Sequence, residues 1–203
     1  MLRRGLGGGF PVKDTCKYTL YFLTSNKHKV LEVREIAGKY GVCIEQEEGG
    51  KLEIQSNSLE EIAWYAAMNY YIRHRKPVLV EDAGLFIKSL NGFPGPYSSY
   101  VYGTIGYHGI LKLMEGTGDR EAYFESVAVI IHEPYIIVEK ARVYGEIAYE
   151  PRGSRGFGFD PIFIPRGEKR TFAEMSIAEK NMYSHRARAV SRALEKFLAH
   201  VKV

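Results

Sequence analysis

The sequence predicts an α/β protein in which a mixed β-sheet is flanked by helices. The N-terminal half alternates between short apolar or aromatic runs, typical of strands, and segments with apolar residues at helical spacing. The segment "VLVED", residues 78–82, is apolar without alternation, as expected of a strand that is covered on both faces. Long strand-like segments then follow one another in the middle of the chain, which indicates antiparallel strands beside the alternating units.

The elements of the N-terminal half follow in order. Residues 17–24, "KYTLYFLT", are aromatic and β-branched and predict a buried strand. Residues 25–41 predict a helix, because their apolar positions recur every three or four residues, and "VCIEQ" predicts a second short strand. Ser58 and Glu61 have the spacing of a capping box, so a helix is predicted to begin there and to end near Pro77.

The second half of the chain changes from alternation to successive strands. "NGFPGPYSS" predicts a loop and residues 107–115 predict a helix, whereas "EAYFESVAVII" and "YIIVEKARVYGEIAYE" predict antiparallel strands of a second lobe. A C-terminal helix is predicted by apolar residues three and four apart, namely Ala187, Val190, Leu194, Phe197 and Val201. We predict a single domain over residues 17–203, preceded by a flexible glycine-rich tail over residues 1–16.

The composition is that of a soluble globular protein, since 45% of its 203 residues are hydrophobic and 26% are charged. A formal net charge of +4 suits a polyanionic ligand but does not by itself indicate nucleic-acid binding. No segment is long and apolar enough to cross a membrane, and the N-terminus lacks the apolar stretch of a secretion signal. The two cysteines, Cys16 and Cys43, have neither metal-ligand spacing nor the pattern of a disulfide framework, so we expect both to be reduced in a cytoplasmic protein.

The segment "TSNKHK", residues 24–29, lies at a predicted junction between a strand and a helix. Free backbone N–H groups and the helix dipole favour an anion at such a place. Thr24 and Asn26 carry side chains that bind phosphate oxygens, and Lys29, one turn into the helix, reaches the same position. An equally weighted alternative is that Ser25 or Asn26 only caps the helix.

Glu81 and Asp82 end the predicted strand "VLVED", and open α/β sheets bind ligands at the carboxyl ends of their strands. Because side chains alternate along a strand, one of these carboxylates points toward a ligand bound there. Such a group suits a general base or a Mg²⁺ ion, which one or two carboxylates usually hold together with substrate phosphates. A solvated strand end is the alternative.

Residues 155–163, "RGFGFDPIF", begin like the strand on which an RNA-recognition module stacks bases. The match stops at Asp160-Pro161, because proline cannot donate to a sheet ladder and the strand should stop or bend there. An RNA-binding surface, a pocket for one nucleotide and simple core packing remain alternatives.

A basic cluster lies in "AEKNMYSHRARA", at a predicted junction of two helices. Lys180, His185, Arg186 and Arg188 concentrate there, and Ser184 is placed to cap the second helix. The alternative is that these residues form the solvated face of a terminal helix.

These motifs occur together in an order that resembles the inosine triphosphate pyrophosphatase family. The order is T-x-N-x-x-K, E-D-A-G-L, G-F-P-G-P-Y-S, F-G-F-D-P, T-F-A-E-M and E-K-N-x-x-S-H-R, and the resemblance covers the chain from about residue 18 to residue 203. The family consists of house-cleaning enzymes that hydrolyse non-standard purine nucleoside triphosphates. The resemblance implies an elongated, two-lobed fold with a central cleft, a homodimer and a small-molecule nucleotide substrate, with no nucleic-acid or membrane partner.

The resemblance also implies the residues of the site. Asp82 is similar to the proton acceptor and Mg²⁺ ligand, and Glu53 is similar to the second metal carboxylate. The substrate-binding residues implied in this way are Thr24, Ser25, Asn26, Lys27, His28, Lys29, Ala83, Phe157, Gly158, Phe159, Asp160, Lys180, His185 and Arg186.

We therefore expect a Mg²⁺-dependent pyrophosphatase that converts ITP, dITP and XTP into the monophosphate and pyrophosphate. In this hypothesis, Lys29 and Lys180 hold the departing pyrophosphate, Phe157 stacks on the base, and Arg186 pairs with the oxygen at purine position 6. The alternatives are an RNA-binding module that uses the "RGFGF" segment, and a pyrophosphatase for another modified nucleotide.

Overall fold

The computed structural model describes residues 16–49 and 51–201. The predicted tail, residues 1–16, lies outside the described residues except for Cys16. The first half contains β1 (Tyr18–Leu23), α1 (Lys27–Gly38), β2 (Val42–Glu47), α2 (Leu59–His74), β3 (Val78–Ile87), β4 (Pro94–Gly95), α3 (Ser98–Thr104) and α4 (Gly106–Leu113). The second half contains β5 (Glu121–His132), β6 (Tyr135–Ile147), β7 (Phe163–Pro165), α5 (Ile177–Tyr183) and α6 (His185–Val201).

One seven-stranded sheet organises these elements, in the order β2-β1-β3-β5-β6-β7, with β4 paired to β3. The pairs β1–β2 and β1–β3 are parallel, and the pairs from β3 through β5 and β6 to β7 are antiparallel. The mixed sheet predicted from the sequence is confirmed. The strands expected to form a second lobe continue this same sheet, because β5 pairs directly with β3 from Val78↔Ile131 to Ile87↔Ala122.

Helices cover both faces of the sheet near its parallel edge, where β3 shows the division. Leu79 is buried in a cluster with α1 and α6, whereas Val78 and Val80 are buried in a cluster with α2. The alternation of strand side chains between faces thus explains why "VLVED" has no polar position among its first residues. Glu81 continues the Leu79 side, and Asp82 continues the Val80 side.

A third cluster fills the end of the sheet away from α1. The aromatic residues Phe124, Phe163 and Phe172 pack against one another there, with ring centroids 4.8 to 6.2 Å apart. Neither β7 nor the short 3₁₀ turn at residues 172–174 was predicted from the sequence, because three residues carry too little periodicity. None of the described helices is both long and apolar enough to traverse a lipid bilayer.

Capping residues set several helix ends. Ser58 accepts a hydrogen bond from the N–H of Glu61 at 3.3 Å, so the predicted cap of α2 is present, although the Glu61 carboxylate bonds to Ser56 instead of completing the box. Ser184 accepts from the N–H of Ala187 at 3.1 Å and begins α6 as predicted.

The expectation that both cysteines are reduced is wrong: the structure joins Cys16 and Cys43 in a disulfide, with their Cα atoms 5.6 Å apart. The physical reason is the parallel pairing of β1 with β2, in which Thr19 lies opposite Cys43. Cys16 lies just before β1 and is therefore brought next to β2. A sequence separation of 27 residues gave no sign of this contact.

Candidate active site

A cleft of about 1190 Å³ lies where the carboxyl ends of β1 and β2 meet the middle of β3. Thr24 comes directly after β1, Gly49 follows β2, and Asp82 lies within β3. Its opposite wall comes from the loop at residues 156–160 and from the start of α6. The cleft therefore occupies the position at which α/β sheets bind ligands.

The segment at residues 24–29 forms the N-terminal entrance of α1. Asn26 is the cap of this helix, because its Oδ1 accepts from the N–H of His28 at 2.9 Å and of Lys29 at 3.2 Å. Thr24 holds the cap, since its Oγ1 accepts from the N–H of Asn26 at 3.1 Å. The capping alternative is thus present in the structure. The same geometry directs the positive end of the helix dipole into the cleft, where it favours an anion.

The loop that contains "RGFGF" is not a strand. Residues 154–159 form bends and turns, because Gly156 and Gly158 adopt positive φ angles of 73° and 63°. The expectation of a strand that stops at Pro161 is therefore wrong, and these residues lie outside the sheet that an RNA-recognition module would need.

Asp160 fixes the shape of this loop. Its Oδ2 accepts from the N–H of Phe157 at 2.8 Å, and a Cβ atom at Gly156 would lie only 2.1 Å from the same oxygen. As a result, the two phenylalanine rings of the loop have different surroundings. Phe159 is 3% exposed and packs edge-on against Tyr102, whereas Phe157 is half-buried and stacks on His28 with ring centroids 5.5 Å apart.

A chain of buried charges lies behind this wall. Lys180 donates to Glu32 Oε1 and to Asp160 Oδ2, both at 2.7 Å, and Arg186 donates to Glu32 Oε2 at 2.5 Å. These four side chains are 3–4% exposed. Burial opposes ionisation of Glu32, but the adjacent Arg186 and Lys180 charges outweigh it and lower the pKa of this carboxyl.

Glu81 extends the chain of charges to α1. Its Oε2 lies 2.9 Å from Lys29 Nζ and 3.1 Å from Arg186 Nε, as ion pairs whose angles are not those of hydrogen bonds. Ser126 donates to its Oε1 at 2.6 Å. Burial is again the largest influence and would raise the pKa of Glu81, but Arg186 and Lys29 together hold it well below the ordinary range. Glu81 therefore stays ionised and positions both cations.

Asp82 faces the cleft from the other side of β3. Burial raises the pKa of the Asp82 carboxyl above its ordinary value, against the opposing influence of the Lys51 ammonium. Lys51 Nζ lies 3.5 Å from Asp82 Oδ1 and 2.5 Å from Glu53 Oε1. A carboxylate of raised pKa in a cleft is a suitable proton acceptor.

The carboxylates Glu53 and Asp82 fit a divalent cation, because a single positive charge already contacts both of them. Mg²⁺ is usually held in this way, by one or two carboxylates together with substrate phosphates. Within residues 16–49 and 51–201, no group of three or more His, Cys, Asp or Glu side chains is arranged to hold a metal ion. The other ligands would therefore have to come from substrate and water.

His185 lies deep in the cleft and stacks on Phe124, with ring centroids 4.5 Å apart and an interplanar angle of 11°. Burial, followed by the nearby Arg186 charge, lowers the pKa of His185 well below its ordinary value. The imidazole is therefore neutral at physiological pH. Its Nδ1 is buried without a hydrogen-bond partner among the described residues, so one ring nitrogen stays available.

The structure brings most of the predicted site residues together in the cleft wall. These are Thr24, Ser25, Asn26, His28, Lys29, Glu53, Asp82, Ala83, Phe157, Gly158, Phe159, Asp160, His185 and Arg186. Two predicted residues are placed elsewhere. Lys27 is exposed on the first turn of α1, and Lys180 lies behind the Phe157 ring, with Nζ 5.0 Å from its centroid.

Sequence reasoning missed Glu32 and Lys51. The signal for Glu32 was a carboxylate within the apolar face of α1, since it is buried beside Val33 and Ile36. Lys51 carried no signal, because it lies in an irregular segment 31 residues away from Asp82.

Fold and cleft together define an α/β protein with a cleft at the carboxyl ends of its strands, lined by residues that suit a small anionic ligand. Residues 20–196 of the chain match the model of the Ham1 family. The chain belongs to this family, which confirms the resemblance drawn from the motifs.

Two relatives and one solved structure show how much of the chain is shared. A dITP/XTP pyrophosphatase of Hyperthermus butylicus is 52% identical over 166 residues, covering 82% of this chain and 87% of the relative. A dITP/XTP pyrophosphatase of Saccharolobus solfataricus is 49% identical over 195 residues, covering 96% of this chain and 95% of the relative. The structure of a HAM1 protein from Coxiella burnetii superposes with a TM-score of 0.77 at 28% identity, covering 90% of this chain and 99% of that one. The present chain is accordingly a hydrolase acting on acid anhydrides.

Proposed function

We propose that this protein hydrolyses deoxyinosine, inosine and xanthosine triphosphates between the α- and β-phosphates and releases the monophosphate and pyrophosphate. The observation that carries the proposal is the composition of one cleft. It joins a helix N-terminus, a stacking ring and a carboxylate pair, which suit the phosphates, the base and the hydrolytic step respectively. The substrates named for the two relatives support the choice of nucleotide.

The phosphates would bind at the entrance of α1. The positive end of the α1 dipole and the Lys29 ammonium supply positive charge there, and Glu81 holds Lys29 in place at 2.9 Å. Charge placed in advance stabilises the departing pyrophosphate without reorganisation. We give Lys180 a positioning task, because its two carboxylate partners hold it behind the wall.

The hydrolytic step needs an acceptor for the proton of the attacking water. Asp82 is placed for this, since it lines the cleft and burial raises its pKa, which makes it a stronger base than an exposed aspartate. Glu53 and Asp82 are the residues that would hold Mg²⁺. When bound, Mg²⁺ supplies positive charge that offsets the charge of the phosphates.

The base would lie against Phe157. Stacking of a base on an aromatic ring contributes about 1–3 kcal/mol, and Phe157 is the half-buried ring of the loop. Arg186 donates only, so guanidinium donors not used by Glu32 or Glu81 would select an oxygen at purine position 6 over the amino group of adenine. The neutral imidazole of His185 adds a second polar contact nearby.

The proposal extends to the assembly and its location. We keep the homodimer implied by the resemblance, and a single domain is supported by one sheet that runs through both halves of the described chain. A cytoplasmic location also remains proposed. The proposed nucleotide substrate supports this location. The cysteines do not, because Cys16 and Cys43 form a disulfide.

The test is pyrophosphate release by purified protein from a panel of triphosphates in the presence of Mg²⁺. We expect kcat/KM for dITP and XTP to exceed that for dATP by at least about 10-fold, the discrimination that one hydrogen bond to a charged group provides. Turnover confined to pyrimidine triphosphates, or equal turnover of dITP and dATP, would contradict the proposed base recognition.

A further inference from the structure

Lys51 occupies a singular place in the cleft. It follows β2 in an irregular segment, lines the cleft wall, and keeps only 18% of its side chain exposed. Its Nζ contacts Glu53 Oε1 at 2.5 Å and Asp82 Oδ1 at 3.5 Å. One ammonium thus bridges the two carboxylates to which the proposed function assigns Mg²⁺.

The other cations of the cleft wall have different partners. Lys29 and Arg186 pair with Glu81 and Glu32, whose side chains are 0% and 3% exposed. Those carboxylates lie behind the wall, where a ligand in the cleft does not reach them. Glu53, in contrast, is 59% exposed, so the partner of Lys51 is open to an incoming cation.

We propose that Lys51 is a further phosphate-binding residue and that it exchanges partners during the reaction. In the free protein, its ammonium neutralises Glu53 and Asp82. When a divalent cation takes these carboxylates, the ammonium turns to the triphosphate that arrives with the cation. This inference rests on the proposed function, because it needs a metal–triphosphate complex as the ligand.

Electrostatics supports the exchange. Two carboxylates that face one ammonium cannot also bind a divalent cation without repulsion between the two positive groups. The displaced ammonium remains on a flexible four-carbon stem at the cleft wall. A lysine ammonium binds phosphate as a compact point charge with three donors, which suits such a movable contact.

The exchange predicts opposite changes in two affinities when the charge is removed. Lys51→Met should bind a divalent cation more tightly in the absence of nucleotide, because the competing ammonium is gone. The same variant should bind the metal–triphosphate complex more weakly. We expect each dissociation constant to change by about 5- to 10-fold. This change lies between the effect of losing an exposed ion pair and that of losing a hydrogen bond to a charged group.

The experiment measures both affinities directly. Mn²⁺ binding to the full-length protein without nucleotide is followed by electron paramagnetic resonance, and binding of the α,β-imido analogue of dITP in excess Mg²⁺ is followed by calorimetry. The proteins compared are the parent, Lys51→Met, Lys51→Gln, Lys51→Arg and the control Lys112→Met, which removes an exposed lysine outside the cleft. Lys51→Arg keeps the charge and should stay within about 3-fold of the parent, and Lys112→Met should match it.

The outcomes separate the possibilities. Tighter Mn²⁺ binding together with weaker analogue binding in both uncharged variants supports the exchange. If Mn²⁺ affinity stays the same or falls while the variants remain folded, Lys51 only anchors its segment to β3 and the inference is wrong. Unchanged affinity for the analogue overturns it as well. Failure of the proposed function would show separately, as absence of pyrophosphate release by the parent.

Discussion

Replacing Lys180 by methionine should destabilise the protein by about 3–5 kcal/mol, the cost of removing one partner from a buried ion pair. The ammonium lies 2.7 Å from both Glu32 and Asp160, and all three side chains are at most 4% exposed. Methionine keeps most of the length of the side chain but leaves the Asp160 carboxylate without its cation. For a domain of this size, each kcal/mol lowers Tm by about 2–4 °C, so Tm should fall by about 6–20 °C.

Thermal unfolding followed by circular dichroism measures this effect, with Lys112→Met as the matched surface control. The control should stay within about 2 °C of the parent, as is usual for exposed substitutions. Burial already raises the pKa of Asp160, and without Lys180 this pKa rises further. The folded variant then binds a proton that the unfolded chain does not, so its deficit should shrink as the pH is lowered. A Tm within 2 °C of the parent at neutral pH would refute the reasoning.

Three further predictions concern other parts of the molecule. Joint replacement of Cys16 and Cys43 by serine should cost about 3.5 kcal/mol from loop-closure entropy over 27 residues, seen as a lower Tm than that of the oxidised parent; equal Tm values would exclude a disulfide in the purified protein. Asp82→Asn should lower kcat by about 10²–10⁴-fold, the usual contribution of a general base; a folded variant with parental turnover would rule out Asp82 as the base. Arg186→Leu should lower kcat/KM for dITP by about 10- to 150-fold and for dATP much less; an equal loss for both nucleotides would assign Arg186 to the phosphates or to the fold.

The sheet was predictable where side-chain patterns are local. The apolar run Val78 to Val80 predicted a strand covered on both faces, and the structure places α2 on one side and α1 with α6 on the other. Alternation then explained why Asp82 faces the cleft while Glu81 turns toward α6. The three-residue strand β7 is too short to show a periodic pattern of apolar side chains, and it forms because it pairs with β6.

The motifs named most of the residues that line the candidate site, but they gave no information on the hydrogen bonds and ion pairs among those residues. The sequence left open whether Arg186 and Lys180 line a site or form the solvated face of a terminal helix, and the structure buries both. Their burial depends on Glu32, which is 148 residues from Lys180 along the chain and meets it only after α1 packs near α5. The bridge that Lys51 makes to Asp82 depends in the same way on the folded path of an irregular segment.

The central claim is attack of water on the triphosphate of a non-standard purine with release of pyrophosphate, and product analysis tests it most directly. The parent protein, dITP and Mg²⁺ are incubated in ¹⁸O-labelled water, and the products are identified by ³¹P nuclear magnetic resonance. The account predicts dIMP and pyrophosphate in equal amounts, with no dIDP or orthophosphate formed early in the reaction. Formation of dIDP and orthophosphate, or no hydrolysis of dITP by correctly folded protein, would contradict it.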